Sequence, residues 1–367
     1  MTTASSAIGR QPARHARRSL AARIRGRYFK SGVDTAVTLV AGTLLLVLAI
    51  DLFDWAVIDS VWEASSALDC AARGSGACWA VLPARIRLVL FGVYPFEEQW
   101  RAALGCLVLL TASVLSCMPA FWSIGRLAPL WLGSFSVYLL LLRGGLFGLS
   151  VVTTENWGGL ALTFLIFASV MLVGLPAAIL LAMARTSALS WLRFPAGVLV
   201  DFIRSVPLIA VLFTAAIVAP LVLPAWMSGD KLTRVIIGAA LFFAVYQAEI
   251  LRGGFQAIPS GQREAATALG LRYWQYQFTV ILPQVFRTVL PQTINQAVSG
   301  FKDTSYVAVV GFFDMTASAS AALGTGDWAL AFIEIYAVVG AIYLIFGYSL
   351  SRYGHYLEQR MGAAYRY

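Results

Sequence analysis

Five ionisable side chains fall within or at the ends of strongly apolar stretches: Arg204, Glu249, Arg252, Lys302 and Asp303. A charge at the centre of a membrane helix costs about 2.5–3.5 kcal/mol on insertion scales, so each needs a reason to be there. Glu249 and Arg252 are three residues apart, on one helical face, where they can pair. Arg252 is also near enough a segment end for its stem to carry the guanidinium to water. Lys302 and Asp303 are adjacent and so point in different directions. Arg204 precedes Pro207 by one turn, and Gln247, Gln292, Asn295 and Thr304 add uncharged polar groups. Such groups either line a polar path or lock helices and subunits together, and spacing alone leaves both open.

Catalysis finds little support. The only histidines are His15 and His355, both near the ends of the chain, so neither a Ser–His dyad nor an HExxH zinc site can form in the membrane. Lys302 and Ser305 lie three apart, but no other catalytic group accompanies them. No CxxC or Cys–His cluster suggests a metal site. No GxxxxGK[ST] loop is present to cradle a nucleotide phosphate.

The elements that must position these groups are membrane helices. The chain of 367 residues is 59% hydrophobic and 12% charged, with a mean hydropathy of +0.77; soluble domains are about 25% charged. A span needs roughly 20 mostly apolar residues. Eight stretches qualify, at about 35–53, 101–121, 127–146, 159–184, 196–223, 235–251, 284–310 and 328–351. The second and third are weakened by Pro119, Pro129 and Gly133. The expected fold is all-α and integral to the membrane, with about eight transmembrane helices.

The net charge of +9 invites a nucleic-acid reading, but its distribution favours topology. Residues 1–34 carry eight cations, from Arg10 to Lys30, and no acid before Asp34. This reads as a cytoplasmic tail, with attraction to anionic membrane lipid and no nucleic-acid partner. It lacks the short apolar core and small-residue site of a cleaved signal peptide. Eight spans return both termini to the cytoplasm. Arg126, Arg185, Arg193, Arg252, Arg263, Arg272 and Arg287 then fall inside, and Asp54, Asp59, Glu63, Asp69, Glu97, Glu98, Asp314 and Asp327 outside. Cys70 and Cys78 share the first external loop, where Gly74 and Gly76 let the chain turn back; the alternatives are a disulfide or two free thiols. Cys106 and Cys117 read as small core residues.

One stretch is too polar to span and too patterned to be a slack loop: residues 259–283, PSGQREAATALGLRYWQYQFTVILP. Ser260 is the expected N-cap, with Glu264 in the first turn near the positive helix end. Ala265, Ala266 and Ala268 favour helix and leave a small-surfaced face. Gly270 suits a left-handed stop. The stretch resembles the cytoplasmic coupling loop of bacterial ABC importer permeases: Glu-Ala-Ala, three residues, Gly, nine residues, then Ile-x-Leu-Pro. The pattern falls on Glu264, Ala265, Ala266, Gly270, Val280, Leu282 and Pro283, with Val280 the one departure. Gly261-Gln262 precedes it as in the family.

The resemblance continues over about 157–361, where the chain is similar to the polar amino-acid subfamily of type I importer permeases. Phe202 to Leu208 looks like its aromatic-x-Arg-Gly-Thr-Pro-Leu segment, departing at Ser205 and Val206. Ala248 to Gly254 matches an Ala-Glu-x-x-Arg-Gly-Gly run, and Lys302-Asp303-Thr304-Ser305 a signature in the next span. It implies a five-helix core at 156–351, preceded by three extra helices with the Cys loop at 35–155 and followed by a cytoplasmic tail at 352–367. Long members implicated in broad-range L-amino-acid uptake share the extra helices. The implied function is ATP-driven import of polar L-amino acids across the bacterial inner membrane by alternating access. Gly261, Glu264, Ala265, Ala266, Gly270 and Pro283 would couple to a separate ABC ATPase dimer that holds ATP-Mg, with no cofactor on this chain. Other implied partners are a periplasmic amino-acid-binding protein and a second permease. The bulky N-terminal half would crowd a symmetric pair, which favours a paralogue and a hetero-oligomer. An amino-acid substrate needs an acid and a base along its path, and Arg204, Gln247, Glu249, Lys302, Asp303 and Thr304 are the candidates. The competing class is a secondary amino-acid transporter indifferent to ATP. No internal repeat of the kind common in such proteins is evident, and a coupling hairpin would be surplus to one.

Overall fold

The computed structural model describes residues 26–324 and 326–363. The cations expected in the tail before Arg27 lie outside them, as does Arg366. Among the described residues the fold is all helical, without a strand. The chain divides into two compact units.

The first unit comprises residues 26–62 and 73–77 of the described chain. Its long helix, α1 (Gly32–Phe53), begins at Ser31, whose hydroxyl accepts from Asp34 N at 3.0 Å. None of its residues is buried. An apolar helix of this length without protein cover suits lipid.

The second unit holds 63–72 and 78–363. Its helices are α2 (Ala67–Arg73), α3 (Val81–Phe91), α4 (Gln99–Ser116), α5 (Ile124–Arg143), α6 (Gly159–Arg185), α7 (Ser190–Arg204), α8 (Leu208–Val222), α9 (Lys231–Ala257), α10 (Ser260–Ala268), α11 (Tyr273–Tyr276), α12 (Leu282–Asp303), α13 (Met315–Leu323) and α14 (Phe332–Ala363). The last residue of α2 belongs to the first unit. The central pair is α6 against α9. Gly174 lets them approach: a Cβ there would stand 2.8 Å from Phe243 and 3.1 Å from the Ala240 carbonyl oxygen. Phe164, Phe301 and Phe346 tie α6, α12 and α14 together, with centroids 4.9–6.3 Å apart. Cys70 and Cys78 form a disulfide with Cα atoms 5.8 Å apart, and Cys78 N donates to the buried Glu334 carboxylate at 2.6 Å.

Helices occupy all eight expected stretches, and six are long and apolar enough to cross a membrane. The two others depart instructively. The stretch expected as one span at 196–223 is broken, because α7 and α8 meet at 106°. Pro207 lacks an N–H and biases Val206 away from helix, so α7 stops at Arg204. The stretch at 284–310 contains a 22-residue helix, α12, that is more polar than a lipid-facing span. A π-turn at Gln277–Ile281 joins α11 to α12 and shifts the hydrogen-bond register just before the residue that lacks an N–H. Pro119 lies beyond the end of α4, whereas α5 absorbs Pro129. The last helix runs through 351 to Ala363.

Arg101 was expected only as the start of a span. It is fully buried, donating to the carbonyl oxygens of Leu141 (3.0 Å) and Ser150 (3.0 Å) and to the Tyr94 hydroxyl (2.9 Å), with Glu98 at 3.2 Å. It stitches α4 to the end of α5 and the loop beyond.

Candidate functional site

The polar hairpin begins beside the ends of α6, α7 and α9, which bring their arginines together. Its first helix, α10, is preceded by Pro259, not capped by Ser260: Ser260 is the first helical residue and its hydroxyl accepts no capping bond. Glu264 therefore lies beyond the first turn. Pro259 supplies the fixed φ that starts the chain into the helix. The stop is as expected. Gly270 has φ +74°. Gly270 N donates to Thr267 O (2.9 Å) and Leu271 N to Ala266 O (3.1 Å), the paired bonds of a Schellman end.

Burial sorts the coupling candidates. Gly261, Glu264, Ala265, Thr267, Ala268 and Gly270 are exposed. Ala266 is buried, so it anchors the helix to its own chain and cannot touch a partner. Gln284 Nε2 donates to Gln262 Oε1 at 3.2 Å, tying α10 to α12. Beside the small-surfaced face stand Leu269, Tyr273, Trp274 and Phe278, all exposed. Trp274 stacks on Phe278 at 5.9 Å and meets Tyr273 edge-on at 5.2 Å. Sequence reading did not single these residues out. The spacing of one and four between Tyr273, Trp274 and Phe278, across α11 and the π-turn after it, was the available signal.

Glu249 is the electrostatic centre. Its carboxylate accepts from Arg252 Nε (2.9 Å) and Nη2 (2.5 Å). Arg185 Nη1 lies 3.1 Å away and Arg204 Nη1 3.7 Å. Arg185 also holds Asp201 at 2.8 Å. One carboxylate thus gathers the ends of α6, α7 and α9. Only the Glu249–Arg252 pair was legible from spacing. Arg204 sits at the end of α7 and is committed to this cluster, with Tyr246 donating to its carbonyl at 3.3 Å.

The other candidates part company. Gln247 is fully buried and donates to Thr293 Oγ1 at 2.8 Å, joining α9 to α12. It lines no open path. Thr304 is buried, its hydroxyl bonded to Phe301 O at 2.7 Å. Asp303 is half-buried beside Gln296 and Phe243, and Lys302 is exposed. On α12, Gln292, Asn295, Gln296, Ser299 and Asp303 fall at i, i+3, i+4, i+7 and i+11, one continuous polar face. Four of them border an open cleft of about 430 Å³ with Glu249. Lipid is a poor cover for such a face. Among the described residues no cluster of histidine, cysteine and carboxylate suits a metal ion.

Residues 174–363 match the family described as "Binding-protein-dependent transport system inner membrane component". The chain belongs to this family. It is 38% identical to the inner membrane amino-acid ABC transporter permease protein YhdY of Escherichia coli K12, over 95% of each chain. It is 31% identical to the glutamate/glutamine/aspartate/asparagine transport system permease protein BztC of Rhodobacter capsulatus, over 94% of each. The glutamate/aspartate import permease protein GltK of Escherichia coli O6:H1 is 32% identical over 55% of this chain and 91% of its own. Membership places the chain as a multi-pass inner membrane component of a binding-protein-dependent system.

Proposed function

We propose that this chain is the permease subunit of an ATP-driven ABC importer that carries polar amino acids inward. The carrying observation is α10, a small-surfaced helix closed by Gly270 and left exposed beside an aromatic patch and an arginine-bearing helix end. Its exposed face fits a cleft on a partner ATPase, with Leu269, Tyr273, Trp274 and Phe278 extending the contact. ATP and magnesium belong to that partner, since this chain carries no phosphate loop, and the chain itself is not catalytic. The full-length likeness to amino-acid permeases supports the substrate class.

The geometry suggests how force is passed on. α10 is held to α12 by Gln284 and by the continuous α11–π-turn–α12 path. A displacement of α10 therefore moves α12 as a lever and carries its polar face with it. The Glu249 cluster ties α6, α7 and α9 into the same body. Closure of an ATPase dimer would rock these helices together, a rigid-body change between two states. The polar face of α12 needs a cover other than lipid. A second permease supplies one, and substrate would pass between the two. Asp303 brings an acid to the far end of this face and Lys302, pointing to one side of it, a base, the two charges that a zwitterion requires; Arg204, Glu249, Gln247 and Thr304 serve as structural fixtures around it. The arginine-bearing end lies in the cytoplasm, both termini with it, and the Cys70–Cys78 loop faces the binding protein. The bulk of the N-terminal half favours a paralogous second permease.

The test is affinity purification of the chain from its native membrane, mass spectrometry of what accompanies it, and uptake in vesicles. An ABC ATPase in the eluate and ATP-dependent amino-acid uptake are expected. The chain alone, still moving amino acids without ATP, would mean a secondary transporter.

A further inference from the structure

One large cavity opens beside the start of α10 and away from the polar face of α12. It holds about 1120 Å³ and is walled by the end of α6, by α7, by the end of α9 and by the start of α10. Its lining combines two chemistries. Arg185, Arg193, Arg252 and Arg263 supply four guanidiniums against a single acid, Asp201, and Phe194, Val198 and Phe202 supply an apolar wall.

The charges do not balance. Arg185 is held by Asp201 and Glu249, and Arg252 by Glu249. Arg193 has only the Ser190 hydroxyl at 3.5 Å. Among the described residues neither Arg193 nor Arg263 is ion-paired. Two guanidiniums are left to face the cavity's solvent side.

The apolar wall is also unmatched. On α7, Trp191, Phe194, Val198 and Phe202 recur at i, i+3, i+7 and i+11, and they are 70%, 75%, 52% and 63% exposed. They form a stripe along one side, with Ala196 and Val200 buried on the other. Because α7 meets α8 at 106°, the two cannot both stand along the membrane normal; with the apolar α8 entering the bilayer, α7 lies across the end of the bundle, close to the membrane plane. A helix there with an aromatic stripe and adjacent arginines has the pattern of an interfacial helix, and tryptophan favours that depth. The stripe suits acyl chains and the arginines a phosphate, and a lipid at the membrane surface offers the two side by side.

We propose that this cavity binds an anionic phospholipid. The phosphate sits against Arg193 and Arg263, and an acyl chain runs along Phe194, Val198 and Phe202. The reading needs the chain in a membrane but does not depend on what the protein transports.

The experiment is native mass spectrometry of the full chain, with the subunits that accompany it, titrated in detergent with phosphatidylglycerol or phosphatidylcholine. Preferential retention of phosphatidylglycerol is expected. Arg193→Gln with Arg263→Gln should cut that retention roughly 30-fold, about fivefold per arginine. Arg193→Lys should keep most of it, and Arg352→Gln, on α14, should keep all of it. Millimolar inorganic phosphate should not displace the lipid. Equal retention of both lipids would overturn the proposal, as would a double variant that binds like the parent. Displacement by phosphate would mark a site for the free ion. A double variant that keeps its lipid but loses its ATPase would mark a protein-docking cavity. Unchanged elution and melting of the variants guard against misfolding, and a variant that melts early is replaced by Arg193→Lys with Arg263→Lys, which should bind like the parent.

Discussion

Gly270 offers the sharpest test of how α10, the proposed coupling helix, is built. A Cβ at this position would meet nothing within 4 Å, so replacement meets no clash within the chain. The cost lies in the backbone, which sits at φ +74°. Holding a non-glycine L-residue there costs roughly 1–2 kcal/mol, enough to shift a local equilibrium about 5- to 30-fold. Gly270→Ala should therefore loosen the paired bonds from Gly270 and Leu271 and let the end of α10 fray. Asparagine tolerates the left-handed region better than alanine, so Gly270→Asn should be the milder change although it is larger. Gly261→Ala, at a position with equally open space and ordinary helical backbone, should be nearly silent. The assay is uptake in proteoliposomes that contain the whole transporter, with ATP hydrolysis measured in parallel. The expected order of ATP consumed per substrate moved is Ala above Asn above parent at 270. If Asn is worse than Ala, Gly270 matters because a partner approaches it closely, and the backbone argument fails.

Three other perturbations follow from the structure. Glu249→Gln leaves Arg185, Arg204 and Arg252 around a neutral amide. Because the carboxylate is partly exposed, the cost should be about 1–2 kcal/mol, below the 3–5 kcal/mol of a fully buried pair, read as a lower melting temperature that Gln247→Ala, on the opposite side of α9, does not reproduce in salt dependence. Breaking the Cys70–Cys78 bridge by Cys78→Ser should cost about 2–3 kcal/mol from loop closure, checked by denaturation and by thiol labelling of the parent, which should be resistant at these two positions. Burial alone would push the Asp230 carboxyl up, but hydrogen bonds from the Thr233 hydroxyl and amide outweigh it and hold the group below its ordinary value. Its contribution is thus present above the ordinary carboxylate value and lost as pH falls through the lower, folded one. Thr233→Val should move that acid-side loss to higher pH, which a melting series from pH 3 to 7 would detect; an unchanged series would refute the cap's role.

Sequence alone determined the features that depend on local chemistry. Apolar runs of span length marked where helices form, because a continuous apolar run that crosses a bilayer can satisfy its backbone groups within itself only as a helix. The Glu-Ala-Ala to Gly270 spacing marked the helix α10 and its left-handed end, since both are set within a few turns. The i, i+3 separation marked the Glu249–Arg252 pair. Features that depend on distant residues had to wait for tertiary structure. Arg185 and Arg204 join Glu249 from other helices, 64 and 45 positions away in the numbering. Arg101 is buried only because the end of α5 and the following loop close over it. Ala266 and Ala265 are the same residue type side by side, yet one is buried and the other exposed, because the neighbouring segments pack on one side of α10. Gln247 and Thr304 looked like liners but face inward, since the phase of a helix within a bundle is decided by what it packs against. The 106° break was hinted at by Pro207, but its angle was not: a proline tells where a helix must end, and only packing tells where the chain goes next.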